Sequence, residues 1–210
     1  MASAWLGVAL NDYERHVELD SVGQAAAIRA ALATGIARHQ PTSLLYLGCA
    51  GGNGLEAASR VPRILGLDLN PNYLALASER FPDADFLTWD LNTGVPQLPP
   101  ADLIFGALIL EYIVSLEQLL QALQAVLSPQ GKIVFLLLGV RANAPDILPS
   151  PYRAALAPVG AEYRTVSKEV LLAAATQTGW RAVDEQNIEL PSGKYFTQLT
   201  LEAQTRSGTT

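Results

Sequence analysis

Two aspartates and a run of glycines carry the first chemical signal. The stretch "LLYLGCAGGNG", residues 44 to 54, passes from four apolar residues into glycines. Glycine lacks Cβ and tolerates positive φ, so the chain there turns sharply or brings backbone N–H groups against a ligand. Asp68 stands twenty residues beyond Gly48, at the end of the apolar run "RILGLDL", and Asp90 closes "DADFLTWDL". A carboxylate at a strand end can accept from ribose hydroxyls or from an exocyclic amine. His16, Glu111 and Tyr112 are the candidates for catalysis: His16 can act as a base near neutral pH, and Glu111 and Tyr112 follow the apolar run "DLIFGALIL", where a second substrate would approach. Tyr152, in "PSPYRAAL", lies in a proline-rich loop suited to a lid. His39, before Pro41, ends a helix and complements its dipole, a structural part.

The elements that must position these residues alternate. In "SVGQAAAIRAALATGIARHQP", Ser21 and Gln24 have capping-box spacing and Ile28, Leu32 and Ile36 recur every four residues, predicting a helix from Ser21 that stops before Pro41. Strand one is Leu44 to Leu47, followed by the glycine turn and a short helix over 55–59. "RILGLDL" is strand two, and Asn70 as N-cap with Pro71 at N1 opens a helix to Arg80. "DADFLTWDL" and the unalternating "DLIFGALIL" are strands three and four, the latter covered on both faces. Ser115 and Gln118 cap an amphipathic helix closed by Ser128, Pro129 and Gly131, and "KIVFLLL" is strand five. After a loop holding Pro145, Pro149, Pro151 and Pro158, Ser167 caps a helix that Gly179 stops. "WRAVDEQNIEL" and "KYFTQLTLEA" flank "PSG" as an antiparallel hairpin. The expected fold is α/β, a doubly wound Rossmann-like sheet of seven mostly parallel strands with a C-terminal antiparallel hairpin. Residues 1–204 form one domain: a helical cap over 1–40, a ligand-binding core over 41–138, and a loop or lid, last helix and hairpin over 139–204. Residues 205–210 read as a disordered tail.

Composition narrows the partners. The 210 residues hold 20 acidic and 14 basic side chains, a net charge of −6, with no basic stripe to meet phosphates, which argues against nucleic acid. One cysteine and two histidines make a disulfide or a zinc site an unlikely design, so no metal is expected. The apolar runs are well short of the roughly 20 residues a membrane span needs, and "MASAWLGVALNDYERH" lacks a signal-peptide n-region, so a cytoplasmic protein without a membrane partner is expected. A small molecule is the expected partner. The oligomeric state is left open.

Two cofactors compete for the turn. The dinucleotide fingerprint G-x-G-x-x-G fails in "GCAGGN", where Ala50 occupies the second glycine position, and "GNGLEA" from Gly52 begins four residues late. Both cofactors place a ribose carboxylate after strand two, and Asp68 satisfies either; S-adenosylmethionine further requires an adenine contact after strand three, which Asp90 supplies with the backbone N–H of Leu91. Leu69 or Trp89 would cover the adenine faces.

In the order and spacing of these motifs the chain resembles the class I S-adenosylmethionine-dependent methyltransferases. "LLYLGCAGGNG" is similar to their first motif, "ILGLDLNPNYL" to the ribose strand and helix, "FLTWDL" to the adenine strand, and "DLIFGALILEYI", with Ala107, to the fourth strand and cofactor wall. The resemblance implies S-adenosylmethionine bound by Gly48, Cys49, Ala50, Gly51, Asp68, Leu69, Asp90, Leu91 and Ala107, with Cys49 a small buried residue given no catalytic role. The opening "DYERHVELDSVGQ" resembles a bacterial subset without assigned substrate, and by that likeness Tyr13, His16 and Gln24 fold over the cofactor or acceptor pocket. The implied reaction is in-line methyl transfer to a small-molecule acceptor. One departure stands out: Tyr46 occupies the position, two before Gly48, where the family commonly has a carboxylate that anchors the turn. A module that binds the cofactor without turnover therefore remains the alternative, and an NAD-dependent oxidoreductase a more distant one.

Overall fold

Short β-branched and leucine-rich runs separated by helices pair into a seven-stranded sheet. The structure is a computed structural model that describes residues 3–141 and 147–204. Its strands are β1 (Ser43–Leu47), β2 (Arg63–Asp68), β3 (Asp85–Thr88), β4 (Ala101–Ala107), β5 (Leu127–Gly139), β6 (Trp180–Glu189) and β7 (Tyr195–Ala203), in the order β3-β2-β1-β4-β5-β7-β6. The first five pair in parallel, whereas β7 runs antiparallel to both β5 and β6. This is the α/β class and the terminal hairpin expected from the strand pattern. Among the described residues, six α-helices accompany the sheet: α1 (Leu10–Glu18), α2 (Gln24–His39), α3 (Pro71–Arg80), α4 (Leu116–Leu123), α5 (Arg153–Gly160) and α6 (Lys168–Gln177).

Strand β1 shows why both faces are covered. All five of its residues are buried. Leu45 and Leu47 join the core that contains α4 and α6, while Leu44 and Tyr46 join the core beneath α2, as the period of two requires. Because β1 to β4 run in parallel, their carboxyl ends deliver residues 48–50, 68–69, 89–91 and 107–109 to one edge of the sheet. That edge is where open α/β sheets bind ligands.

Several local expectations hold at the atomic level. Asn70 accepts from Asn72 N at 3.0 Å with Pro71 opening α3, Ser115 accepts from Gln118 N at 3.2 Å, and Ser167 accepts from Val170 N at 3.3 Å. Others differ. Ser21 does not cap α2; Gly23, at φ 69, precedes Gln24 and offers no side-chain bond. A glycine is needed there because the tip of the β6–β7 hairpin leaves no space: a Cβ on Gly23 would lie 2.4 Å from Pro191 Cδ. The capping helix expected to end at Ser128 stops at Leu123, and β5 begins at Leu127, where it pairs with Ala101 before a register shift. Strand pairing thus outcompetes the turn signal of "SPQG". The proline-rich loop contains α5, with Pro158 inside it, so a helix forms where only a loop was expected. Pro145 and the tail over 205–210 lie outside the described residues.

The N-terminal segment crosses the carboxyl edge of the sheet. Tyr73 Oη donates to Val8 O at 2.9 Å, and Asn70 Nδ2 donates to Trp5 O at 2.9 Å. On its other side, Ser3 Oγ and Ala4 N donate to the Glu162 carboxylate at 2.8 and 2.7 Å. Among the described residues, no helix is long and apolar enough to cross a membrane.

Replacing Gly23 with alanine combines a positive φ with overlap on Pro191 and should cost about 2–4 kcal/mol. Chemical denaturation of Gly23→Ala checks this; a midpoint unchanged from the parent would show that the hairpin tip yields freely.

Candidate functional site

A cleft of ≈ 740 Å³ opens at the carboxyl edge, a size usual for cofactor and small-molecule sites. Gly48, Ala50, Asp68, Leu69, Trp89, Asp90, Leu91 and Ala107 all line it, and so do Tyr13 and Tyr112. Residues that the sequence separates by up to ninety-nine positions, Tyr13 to Tyr112, therefore meet in one place. Two of the three positive-φ residues other than glycine, Ala50 at 47° and Leu108 at 55°, line it as well. Strained backbone of this kind persists where surrounding structure fixes it, and it gathers at ligand sites.

Asp68 organises the cleft floor. Its Oδ2 accepts from Ala50 N at 2.9 Å and its Oδ1 from Asn70 N at 2.9 Å, so one carboxylate ties the glycine turn to the start of α3. Burial raises its pKa, and the backbone N–H bonds oppose that rise. A carboxylate has about four lone-pair positions. Two are used here, and two remain for a diol. Asp90 caps the turn over Leu91–Thr93 by accepting from Asn92 N at 2.9 Å, and Trp89 Nε1 donates to Gly94 O at 2.9 Å, fixing the indole in the wall.

Three of the turn's glycines make room for packing neighbours, while Gly48 lines the cleft. A Cβ on Gly51 would lie 2.3 Å from Glu14 Oε1 and 2.5 Å from Arg80 Nη1, so this glycine makes room for the ion pair between α1 and α3. On Gly52 it would strike the Phe81 ring, and on Gly54 the backbone of Arg29 in α2. Gly51 consequently faces a neighbouring polar hollow and not the main cleft. Cys49 also points away from it: the thiol packs on Gly66, where a Cβ would be 2.7 Å from its Sγ, and burial pushes its pKa well up.

Tyr46 lies in the core beneath α2, edge-on to Phe105 with centroids 5.1 Å apart. Its hydroxyl donates to Asn53 O at 3.1 Å. This position thus bonds the turn backbone through a neutral donor to a carbonyl, a bond that a carboxylate, being an acceptor only, would not make.

The catalytic candidates separate into three environments. Tyr112 lines the cleft, edge-on to Trp5 with centroids 5.4 Å apart, and Trp5 is in turn edge-on to Tyr13 at 5.3 Å. Burial, with the charges of Asp68, Glu14 and Glu111, raises the Tyr13 hydroxyl above its ordinary value, and Tyr112 is raised chiefly by burial too. His16 does not line the cleft but an adjoining smaller chamber, where its Nδ1 lies 2.8 Å from Ser150 Oγ. Glu111 lines neither space. It is 0 % exposed, its Oε1 accepts from Leu138 N at 2.9 Å, and its Oε2 has no hydrogen-bond partner among the described residues. Burial pushes its pKa up to about 7. Tyr152 precedes α5, half-buried, and reaches neither space. His39 sits in the last turn of α2 as expected.

Residues the sequence did not single out complete the walls: Trp5 and Ser3 from the N-terminal segment, and Glu162, Tyr163 and Arg164 from the stretch after α5. The aromatic residues in "ASAW" and "AEYR" are the only signal that could have marked them.

The donor set fits S-adenosylmethionine. Two carboxylates at adjacent strand ends face one cleft, apolar Leu69, Trp89 and Leu91 lie between them, and the turn backbone forms the floor. Strand order β3-β2-β1-β4-β5-β7-β6 with this cleft defines the class I S-adenosylmethionine-dependent methyltransferase fold. Residues 45–133 match the family model described as methyltransferase domain. A trans-aconitate 2-methyltransferase of Variovorax paradoxus is 40% identical over 88 residues, covering 40% of this chain and 34% of the relative. The chain spans about a third of the length of the curated relatives it first matches. Among solved structures, a TehB-like S-adenosylmethionine-dependent methyltransferase of Corynebacterium glutamicum has a TM-score of 0.64 at 20% identity, over 93% of this chain and 98% of the other. Phosphoethanolamine N-methyltransferase 2 of Haemonchus contortus, in complex with S-adenosyl-L-methionine, has a TM-score of 0.67 at 16% identity over 93% and 57%.

Glu111 generates a stability prediction. Folded and unfolded chains both hold its proton below pH 4.5; between 4.5 and about 7 only the folded chain does, so this contribution to stability is lost as pH rises through about 7. Glu111→Gln removes the charge and should gain on the order of a few kcal/mol relative to the parent at pH 8, and little at pH 4.5. Urea unfolding at both pH values measures it, and parallel pH profiles would show that Glu111 ionises freely in the fold.

Proposed function

We propose that the chain transfers a methyl group from S-adenosylmethionine to a small-molecule acceptor. The observation that carries this is the pair of carboxylates, Asp68 and Asp90, at the ends of β2 and β3 facing the cleft whose floor is the turn at Gly48 and Ala50. When bound, S-adenosylmethionine supplies an electrophilic methyl carbon whose bond to sulfur breaks with the electron pair left on sulfur. In this reading Asp68 holds the ribose hydroxyls, Asp90 and the N–H of Leu91 meet the adenine edge, and Leu69 and Trp89 cover its faces. Gly48, Ala50 and Ala107 give close backbone approach. Tyr13 covers the cofactor from above, and Cys49 and Gly51 support the turn from behind.

The protein's main contribution is alignment, since in-line displacement needs acceptor and methyl group held collinear at near-attack distance. Residues 1–40 act as a cap, 41–138 bind the cofactor, and 139–204 complete the acceptor side. The relatives' name makes trans-aconitate one acceptor to test. A cytoplasmic setting, in keeping with the single buried free thiol of Cys49, belongs to the same proposal.

Asp68→Ala should weaken S-adenosylhomocysteine binding at least about tenfold, because charge-assisted hydrogen bonds to the ribose are lost. Calorimetric titration of parent and variant, with circular dichroism confirming that both are folded, checks this. Equal affinities would remove Asp68 from the binding site, and absence of binding to the parent would remove the methyltransferase reading.

A further inference from the structure

Beside the cofactor cleft lies a second chamber of ≈ 100 Å³. Trp5, Tyr13, Leu108, Tyr112 and Tyr163 line both spaces, so the two share a wall of aromatic rings. The chamber's remaining sides are mainly aliphatic, supplied by α1, α5 and the end of β5. No aspartate or glutamate among the described residues lines it. His16, Gln24 and Lys194 are its polar lining, all buried, and Lys194 already has an interaction partner in the protein.

We propose that this chamber is the acceptor subsite, that it takes a compact uncharged ring bearing a hydroxyl group, and that His16 receives the hydroxyl proton. The proposal rests on the methyltransferase reading above. Size sets the first limit. At ≈ 100 Å³ the chamber is well below the roughly 300–1,000 Å³ of sites for drug-sized ligands, which limits it to a compact group and excludes a nucleotide or a peptide. Charge sets the second. An acceptor carrying several charges would lose its hydration against the single buried cation Lys194, at several kcal/mol per unpaired ion, and a cationic acceptor would be repelled by it. Aromatic walls instead favour offset or edge-on contact with another ring.

His16 is placed to take a proton. Its Nδ1 lies 2.8 Å from Ser150 Oγ, and that oxygen also accepts from Tyr152 N at 3.2 Å. With the imidazole proton on Nδ1, Ser150 Oγ accepts from both, and Nε2 keeps a lone pair for the ligand. Burial, then the nearby Lys194 charge, lowers the pKa of His16, so the ring is neutral at pH 7. The hydroxyls of Tyr13 and Tyr112, both raised above their ordinary value chiefly by burial, carry no charge there. The acceptor oxygen gains the methyl carbon, and its proton passes to His16 Nε2.

Of the chamber's lining, only Leu108 and Tyr112 fall within residues 45–133, the stretch that matches the family model.

The test is calorimetry on the protein saturated with S-adenosylhomocysteine, using para-cresol and trans-aconitate as probes. Binding of para-cresol but not trans-aconitate is expected, with Val159→Trp and the milder Leu156→Phe weakening para-cresol at least about tenfold while S-adenosylhomocysteine affinity stays within about twofold. His16→Gln should keep para-cresol affinity within about threefold and lower its methylation at pH 7 at least about 100-fold. Binding of trans-aconitate alone, or of neither probe, overturns the proposal and leaves the cofactor site standing. A His16→Gln loss below about threefold removes His16 from proton transfer. No binding of S-adenosylhomocysteine would overturn the methyltransferase reading itself, and this proposal with it.

Discussion

The Asp68 carboxylate is the joint on which the carboxyl edge of the sheet depends. Its two oxygens accept from Ala50 N and Asn70 N, and Asn70 in turn caps α3 through Asn72 N and holds the N-terminal segment through Trp5 O. One side chain thus couples the turn after β1, the start of α3 and the strap across the cleft. Each of these bonds satisfies a backbone group that would otherwise stand unpaired at a half-buried edge. Ala50 holds φ 47 within this frame, a conformation that an unsupported alanine would leave. On the far side of the turn, Tyr46 reaches Asn53 O, so the turn is held from both ends.

The site divides by charge. The cofactor cleft carries Asp68 and Asp90, with Glu162 and Arg164 at its border. The adjoining chamber has no acidic side chain among the described residues; its walls are tyrosine, tryptophan and aliphatic side chains with His16, Gln24 and Lys194. Burial holds Tyr13 and Tyr112 protonated, keeps His16 neutral, and pushes the pKa of Glu111 up to about 7. A low dielectric of this kind makes any remaining dipole or proton acceptor more effective than it would be in water.

The strands, their parallel run and the hairpin were legible because apolar runs of five or six residues bounded by caps leave little choice of element. Asn70, Ser115 and Ser167 were legible as caps for the same local reason. What escaped depended on contacts between distant segments. Ser21 lost its cap role because Pro191, from the hairpin tip, presses on the αL glycine before Gln24. Helix α5 forms around Pro158 where Leu156 and Val159 find a buried face against the N-terminal segment. Glu111 looked accessible from its place after β4, yet folding turns it inward to Leu138 N.

The sequence by itself determined the sheet, the strand ends that carry Asp68 and Asp90, and the family these spacings resemble, since each rests on periodicity and capping within a few residues. Tertiary structure alone decided what the glycines make room for: Gly51 for the Glu14–Arg80 pair, Gly52 for Phe81, and Gly54 for α2. It also brought Trp5, Tyr13, His16, Tyr112 and Tyr163 around one chamber. Packing against a neighbour depends on which residues arrive from elsewhere in the chain, and local pattern holds no record of them.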